Sequence, residues 1–261
     1  AGMTLGAPAA ASSMILTGGC IVSKLSGGDV SADCGGKSPS VIPAGRCGAF
    51  ADADLRGPIA VAGCREGGVL LMDASAPAFP VVSAFFDAGF EVKATVLLDG
   101  ALAVLGGDGR IAVYRDLEAK GGPVVAGEAG AVGGGIVGLA ASGPPGELVA
   151  VDDGGSLRVL RVTSSGTLSQ LGEAVLKGTP RGVKADEQSS RTYVSGEAGI
   201  EVFDLADPGN PVPVATVAAG SPGPFAGCAD AVAWVRDGLL ETVDPAGSGI
   251  AGVRARRRHG L

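Results

Sequence analysis

Apolar positions in this chain gather into short runs that break at a glycine-rich turn and resume at once. "PIAVAGCREGGVLLMD" from Pro58, "ALAVLGGDGRIAVYRD" from Ala101, "ELVAVDDGGSLRVLRV" from Glu147, "RTYVSGEAGIEVFDL" from Arg191 and "AVAWVRDGLLETVD" from Ala231 share this form, and "MILTGGCIVSKLS" from Met14 is a weaker copy. Such runs read as strands, and turns such as "GGDG", "DDGG" and "GEAG" supply the positive φ that tight hairpins require. Polar residues interleave in "SLRVLRV" and "IEVFDL", where Arg158, Arg161 and Glu201 alternate with Leu157, Val159, Leu160, Val202 and Phe203.

The copies are periodic. Their equivalent residues Met14, Ile59, Leu102, Leu148, Thr192 and Val232 lie 45, 43, 46, 44 and 40 apart, a period of about 44. Each period opens with a short segment such as "FEVKATVL" or "RGVKADEQ", continues through the hairpin, and ends, after a Pro- or Gly-rich loop, with a strand such as "PVVSAFF" or "VPVATVA". Four antiparallel strands per period, six times over, predict an all-β fold, a β-propeller of six four-stranded blades. The predicted blades are 1–44, 45–89, 90–133, 134–178, 179–220 and 221–253, in one domain over 1–253, followed by an Arg-rich tail at 254–261. A sandwich does not explain the period, and helices are opposed by 46 Gly and 16 Pro in 261 residues.

Composition narrows the function. A formal charge of −7 argues against nucleic acid as the main partner, and no window approaches a membrane-spanning length of apolar residues. The basic exception is the tail, where Arg254, Arg256, Arg257 and Arg258 form a candidate docking arm or a plain solvated end. The opening "AGMTLGAPAAASS" has the small residues found around cleavage sites, so an extracytoplasmic or organelle-lumen location after presequence removal is the expectation. Five cysteines, at 20, 34, 47, 64 and 228, show no zinc-ligand spacing; one disulfide, Cys34 with Cys47, is the pairing considered for an oxidising compartment.

The stretch "SGEAGIEVFDLADPGNPVPVATV" resembles the units of LVIVD-repeat β-propellers, with Gly199, Val202, Asp204, Asp207, Pro208, Asn210 and Pro211 carrying the match. The unit from Gly68 keeps Asp73, Pro77 and Pro80 but has Ala76 and Phe79 where Asp and Asn belong. Residues 147–172 resemble instead the repeats of lactonase-like propellers, through Gly155, Val159, Arg161, Val162, Gly166 and Leu168. Both resemblances imply a propeller. The first implies exported or surface proteins of unassigned role, the second a hydrolase with metal-holding carboxylates in a central channel.

Catalytic sets are scarce. The single histidine, His259, is the third residue from the end of the sequence, which disfavours His-dependent acid–base or nucleophilic chemistry. The hairpin turns carry Glu66, Asp108, Asp152, Asp153, Glu197 and Asp237, a candidate acidic face for a basic partner, against the plainer reading that acids beside Gly are ordinary turn residues. Asp73, Asp204 and Asp244, with Asp116 one position off, recur after the third strand and are expected to accept backbone N–H groups of the loop that follows. No nucleotide loop is present and no cofactor or metal is expected. The expectation is a non-catalytic interaction module, an accessory or scaffold subunit whose partners are other proteins. A metal-dependent lactonase-like hydrolase is the alternative. A sugar binder is a third reading, weakened by few aromatics beyond Tyr114, Tyr193 and Trp234.

Overall fold

The computed structural model describes residues 14–17, 20–24, 30–33, 40–42, 49–75, 81–118, 122–129, 135–186, 188–217, 225–228, 231–236, 239–243 and 253–258. Their strands pair as antiparallel meanders of four. The first sheet holds β1 (Met14–Thr17), β2 (Cys20–Lys24), β3 (Val30–Asp33) and β4 (Ser40–Ile42). Next come β5 (Phe50–Arg56), β6 (Ile59–Cys64), β7 (Gly68–Asp73) and β8 (Val81–Asp87), then β9 (Val92–Leu98), β10 (Ala101–Gly106), β11 (Ile111–Arg115) and β12 (Val124–Ala129). The fourth sheet is β13 (Ile136–Ala141), β14 (Glu147–Asp152), β15 (Ser156–Val162) and β16 (Leu168–Val175), and the fifth is β17 (Pro180–Asp186), β18 (Arg191–Gly196), β19 (Gly199–Asp204) and β20 (Val212–Thr216). The last contains β21 (Phe225–Cys228), β22 (Ala231–Arg236), β23 (Leu239–Val243) and β24 (Val253–Arg258).

This is an all-β β-propeller. Of the six blades that the period predicts, four are described through their side chains, β5–β8, β9–β12, β13–β16 and β17–β20; the remaining two sheets are described mainly as backbone. Residues 254–258, expected in a tail, belong to β24, whose backbone pairs with β23 from Val243–Val253 to Leu239–Arg258.

The period survives in backbone detail. Gly67, Gly109 and Gly155 between the second and third strands, and Gly199 at the start of the third, mark the turns of the four fully described blades with φ of 102°, 81°, 84° and 109°, a region closed to most other residues. Each first strand carries one extra residue relative to its partner, at Ala51, Lys93, Val137 and Arg181. Outermost strands carry another, at Ser83 in β8, Leu171 in β16 and Val214 in β20. A bulge adds local twist, and placing it at the same point of each blade gives the blades a common curvature.

Burial alternates over much of β15, where Leu157 and Val159 are buried and Arg161 is exposed, but not in the other middle strands of the fully described blades. β10 and β14 are buried at every position, and Glu201 of "IEVFDL" is 5% exposed, so the expected wet face of that strand is absent. Successive side chains still point to opposite faces, but both faces are covered. In β6 and β7, Val61, Val69 and Leu71 join a cluster with Leu97, Leu102, Val104, Tyr114 and Leu117 of the following sheet, while Ala62, Cys64, Leu70 and Met72 form a cluster of their own.

The chain falls into two compact units, residues 1–107 with 112–125 and residues 108–111 with 126–261. In the second unit Val149, Val151, Leu157 and Val159 pack with Val183, Val194, Phe203 and Leu205, and Tyr193, Ile200 and Val202 pack with Val232 and Trp234. Cys64, at the end of β6, is disulfide-bonded. The Cys34–Cys47 pairing considered from the sequence lies outside the described residues.

One close approach joins neighbouring blades of this unit. A Cβ on Gly172 of β16 would meet the carbonyl oxygen of Pro208 and, at 2.8 Å, that of Gly209, both backbone atoms of the "DPGN" corner. Gly172→Ala is therefore expected to destabilise the protein by about 1–3 kcal/mol, the cost of overpacking a rigid contact. Val175→Ala, on the same strand at 82% exposure, should change stability by less than about 0.5 kcal/mol. Urea unfolding midpoints of the two variants check the contrast.

Candidate interaction surface

The acidic turns are built on one repeated backbone bond. The residue that follows the second strand donates its N–H to the carbonyl of the residue that precedes the first: Arg65 to Ala49 (2.8 Å), Gly107 to Glu91 (2.9 Å), Asp153 to Gly135 (3.0 Å) and Glu197 to Thr179 (3.2 Å). In two blades a turn carboxylate bonds back to the same residue: Glu66 Oε2 accepts from Ala49 N–H at 3.2 Å and Asp153 Oδ1 from Gly135 N–H at 3.0 Å. These acids fasten the start of the blade to its hairpin.

The other predicted face residues divide. Asp108 binds within its own turn, accepting from the backbone N–H of Arg110 and, at 2.7 Å, from its Nε; the Arg110 side chain is the main reason its carboxyl titrates below the usual carboxylate range. Asp152 is buried, with Oδ1 accepting the Ser156 N–H at 2.9 Å and Oδ2 paired with Arg158 at 2.8 Å. Glu197 is exposed, and Asp237 lies outside the described residues. Among the described residues no group of three or more His, Cys, Asp or Glu is placed to hold a metal ion.

Sequence reading missed a second set of acids. Asp52 Oδ2 and Asp54 Oδ2, from β5, accept the N–H groups of Thr95 (3.0 Å) and Leu97 (2.8 Å) in β9, which has no strand beyond it on that edge. Arg56 completes the seam by pairing with Asp99 at 2.8 Å. In the second unit buried Glu201 accepts the Lys177 N–H at 3.0 Å, and buried Glu147 pairs with Arg161. The signal was present in "ADADL", where acids two apart on a strand share a face, but without the neighbouring edge it has no meaning.

The corners after the third strands do what their spacing predicts. Asp73 Oδ1 accepts the Ser75 N–H and Asp204 Oδ1 the Ala206 N–H, each at 2.8 Å, and Asp207 repeats the turn with Gly209 at 3.0 Å. The hydrogen bonds from Ser75 hold the Asp73 carboxyl below its ordinary value. Asp116 instead takes φ of +54°, and Asp244 lies outside the described residues. At the Asp73 corner a cleft of about 370 Å³ opens, with Leu71, Met72 and Leu117 among its walls and Asp73, Ser83 and Glu118 at its margin. Tyr114, Tyr193 and Trp234 are all buried, so none is a stacking platform for a sugar. For the arginines of β24 the structure describes backbone pairing, and His259 lies outside the described residues.

Comparison with known proteins gives the fold and no family. No family model matches this chain, and no curated protein matches it. Among solved structures it is similar to the β-propeller domain of Cps50 (Swd1) from Myceliophteria thermophila, with TM-score 0.75 and 13% identity over 94% of this chain and 86% of that one. It is also similar to a functionally unknown protein from Desulfotomaculum acetoxidans, with TM-score 0.72 and 14% identity over 89% and 77% of the two chains. The computationally designed protein Ika8 gives TM-score 0.64 and 12% identity over 98% and 89%.

Asp152→Ala should cost about 3 kcal/mol, the low end for breaking a buried pair because Glu173 stays within 3.4 Å of Arg158. Asp153→Ala, which loses one exposed bond, should cost about 1 kcal/mol; urea unfolding separates the two. Acid behaviour follows from Asp73, Asp108 and Glu173, all held below their ordinary values of 3.8, 3.8 and 4.5, Glu173 chiefly by the Ser156 side chain. A carboxyl lowered on folding stabilises the fold at pH above its unfolded value and loses that contribution as pH falls through the folded one. Melting temperature should hold down to about pH 5 and fall below about pH 4, with a shallower fall in Asp73→Asn.

Proposed function

We propose that this chain is a non-catalytic interaction module, an accessory or scaffold subunit of a larger protein assembly, built as a six-bladed propeller of the LVIVD-repeat kind. The observation that carries the reading is on the outermost strands. Val82 in β8, Val124 and Val125 in β12, Val175 in β16 and Val212 and Val214 in β20 are between 42% and 82% exposed, so each fully described blade turns aliphatic surface to water at its outer strand. Recurrent exposed aliphatic residues are what a partner surface buries.

Polar chemistry points the same way. The carboxylates that a lactonase-like metal site would draw on are bonded to backbone N–H groups and arginines inside the blades. The likeness to other propellers contributes the architecture alone, since that architecture hosts many roles. The disulfide at Cys64 supports an oxidising, extracytoplasmic or lumenal setting.

Isolation from its native source under mild conditions tests the reading. The protein is expected to elute in an assembly larger than its own 25.3 kDa, and a photo-reactive residue in place of Val175 should attach to a neighbouring subunit. The double variant Val175→Lys, Val212→Lys should release it without loss of fold, because charges on that surface oppose apolar docking. A monomer that acquires no crosslink from native extract would sink the proposal.

A further inference from the structure

We propose that the cleft at the Asp73 corner is a docking pocket for one aliphatic side chain of a partner protein, held where the adjoining partner residue is arginine or lysine. This rests on the reading of the chain as an interaction module and names one contact of it. The inference comes from comparing two corners of the same repeat. In β16 the bulge residue is Leu171, which packs against the core cluster of the second unit that includes Val159 and Leu205. At the equivalent bulge of β8 stands Ser83, while Leu71 and Leu117 occupy the places of Val159 and Leu205. Leucine has given way to serine, and the volume it fills elsewhere is open.

A second difference stands beside it. Gly172, next to Leu171, lets the following blade's corner rest on β16, and a Cβ there would strike the backbone of Pro208. Next to Ser83 stands Ala84. The cleft, of about 370 Å³, has Leu71 and Leu117, both buried, among its lining residues. Its margin is charged in one sense. Asp73 and Glu118, both exposed acids, line it together with Ser83, and the chain as a whole carries −7. An apolar pocket with an anionic margin selects an aliphatic group with a cation beside it.

Ser83 and Leu117 line the cleft, so their backbone amide signals report on it. With 15N-labelled protein, titration with N-acetyl-leucyl-arginine amide should move the Ser83 and Leu117 amide signals saturably, with a dissociation constant on the order of 1–10 mM. N-acetyl-leucyl-glutamine amide should bind about fivefold more weakly, and Glu118→Lys should weaken the arginine peptide by about as much. Ser83→Leu, which restores the packing of Leu171, should abolish the response with the melting temperature kept; should that variant not fold, Glu118→Lys and the glutamine peptide decide. The proposal is overturned if neither amide responds to about 50 mM arginine peptide, or if the glutamine peptide binds equally well. It also fails if binding emerges only in Phe79→Ala, because the chain's own Phe79, which lies outside the described residues, is then the occupant. A native assembly recovered despite such results leaves the module reading standing without this pocket; peptide binding by a protein that is always monomeric does the reverse.

Discussion

A sheet whose two faces are both apolar has no stable existence alone in water, and that constraint governs this molecule. Val61 and Ala62, adjacent in β6, enter different clusters, so the strand needs cover on each side. The same holds for β10 and β14, buried at every position. Stacking blade upon blade answers the need without any one sheet growing wide. It also explains the composition: small and β-branched side chains suit a thin layer packed on both sides, and aromatic residues are used sparingly, with Tyr114, Tyr193, Phe203 and Trp234 the buried ones among the described residues.

Apolar faces leave the polar work to edges. A first strand has one hydrogen-bonding edge with no strand beyond it, and buried N–H groups there need acceptors. Asp52 and Asp54 supply them to β9, as Glu201 does for Lys177. A carboxylate accepting from a backbone N–H makes a strong bond and carries a charge that must itself be satisfied, so these acids sit where amide donors or arginines already point. A chain with net charge −7 thus devotes a good share of its acids to fastening its own parts.

The repeat and its four-strand grammar were legible because both are one-dimensional: the turn glycines Gly67, Gly109, Gly155 and Gly199 mark the period, and a positive φ leaves a sequence trace. The capping role of Asp73 and Asp204 was legible for the same reason, since the bond spans two residues. What was not legible depends on the neighbouring blade. Glu201 reads as the wet side of an alternating strand until the next layer covers it, and "ADADL" reads as a polar strand until β9 presents its edge. The turn acids read as a face because sequence gives their position in the period and not their direction; Glu66 and Asp153 point back to their own blade. Arg254 to Arg258 read as a tail because charge density outweighed the strand pattern of "VRARRR".

Exposed outer strands raise a difficulty that the bulges answer. A strand at the margin of a sheet offers unpaired N–H and C=O groups to any passing strand, and aliphatic side chains beside them worsen the hazard. The extra residues at Ser83, Leu171 and Val214 break the regular spacing of those groups midway along β8, β16 and β20, and Pro213 removes one donor outright. Continuous strand addition is thereby disfavoured while the valines stay available. A partner must then engage this surface through side chains, and side-chain packing depends on which residues occupy each bulge and corner. Specific recognition is thus confined to positions where otherwise equivalent blades carry different side chains.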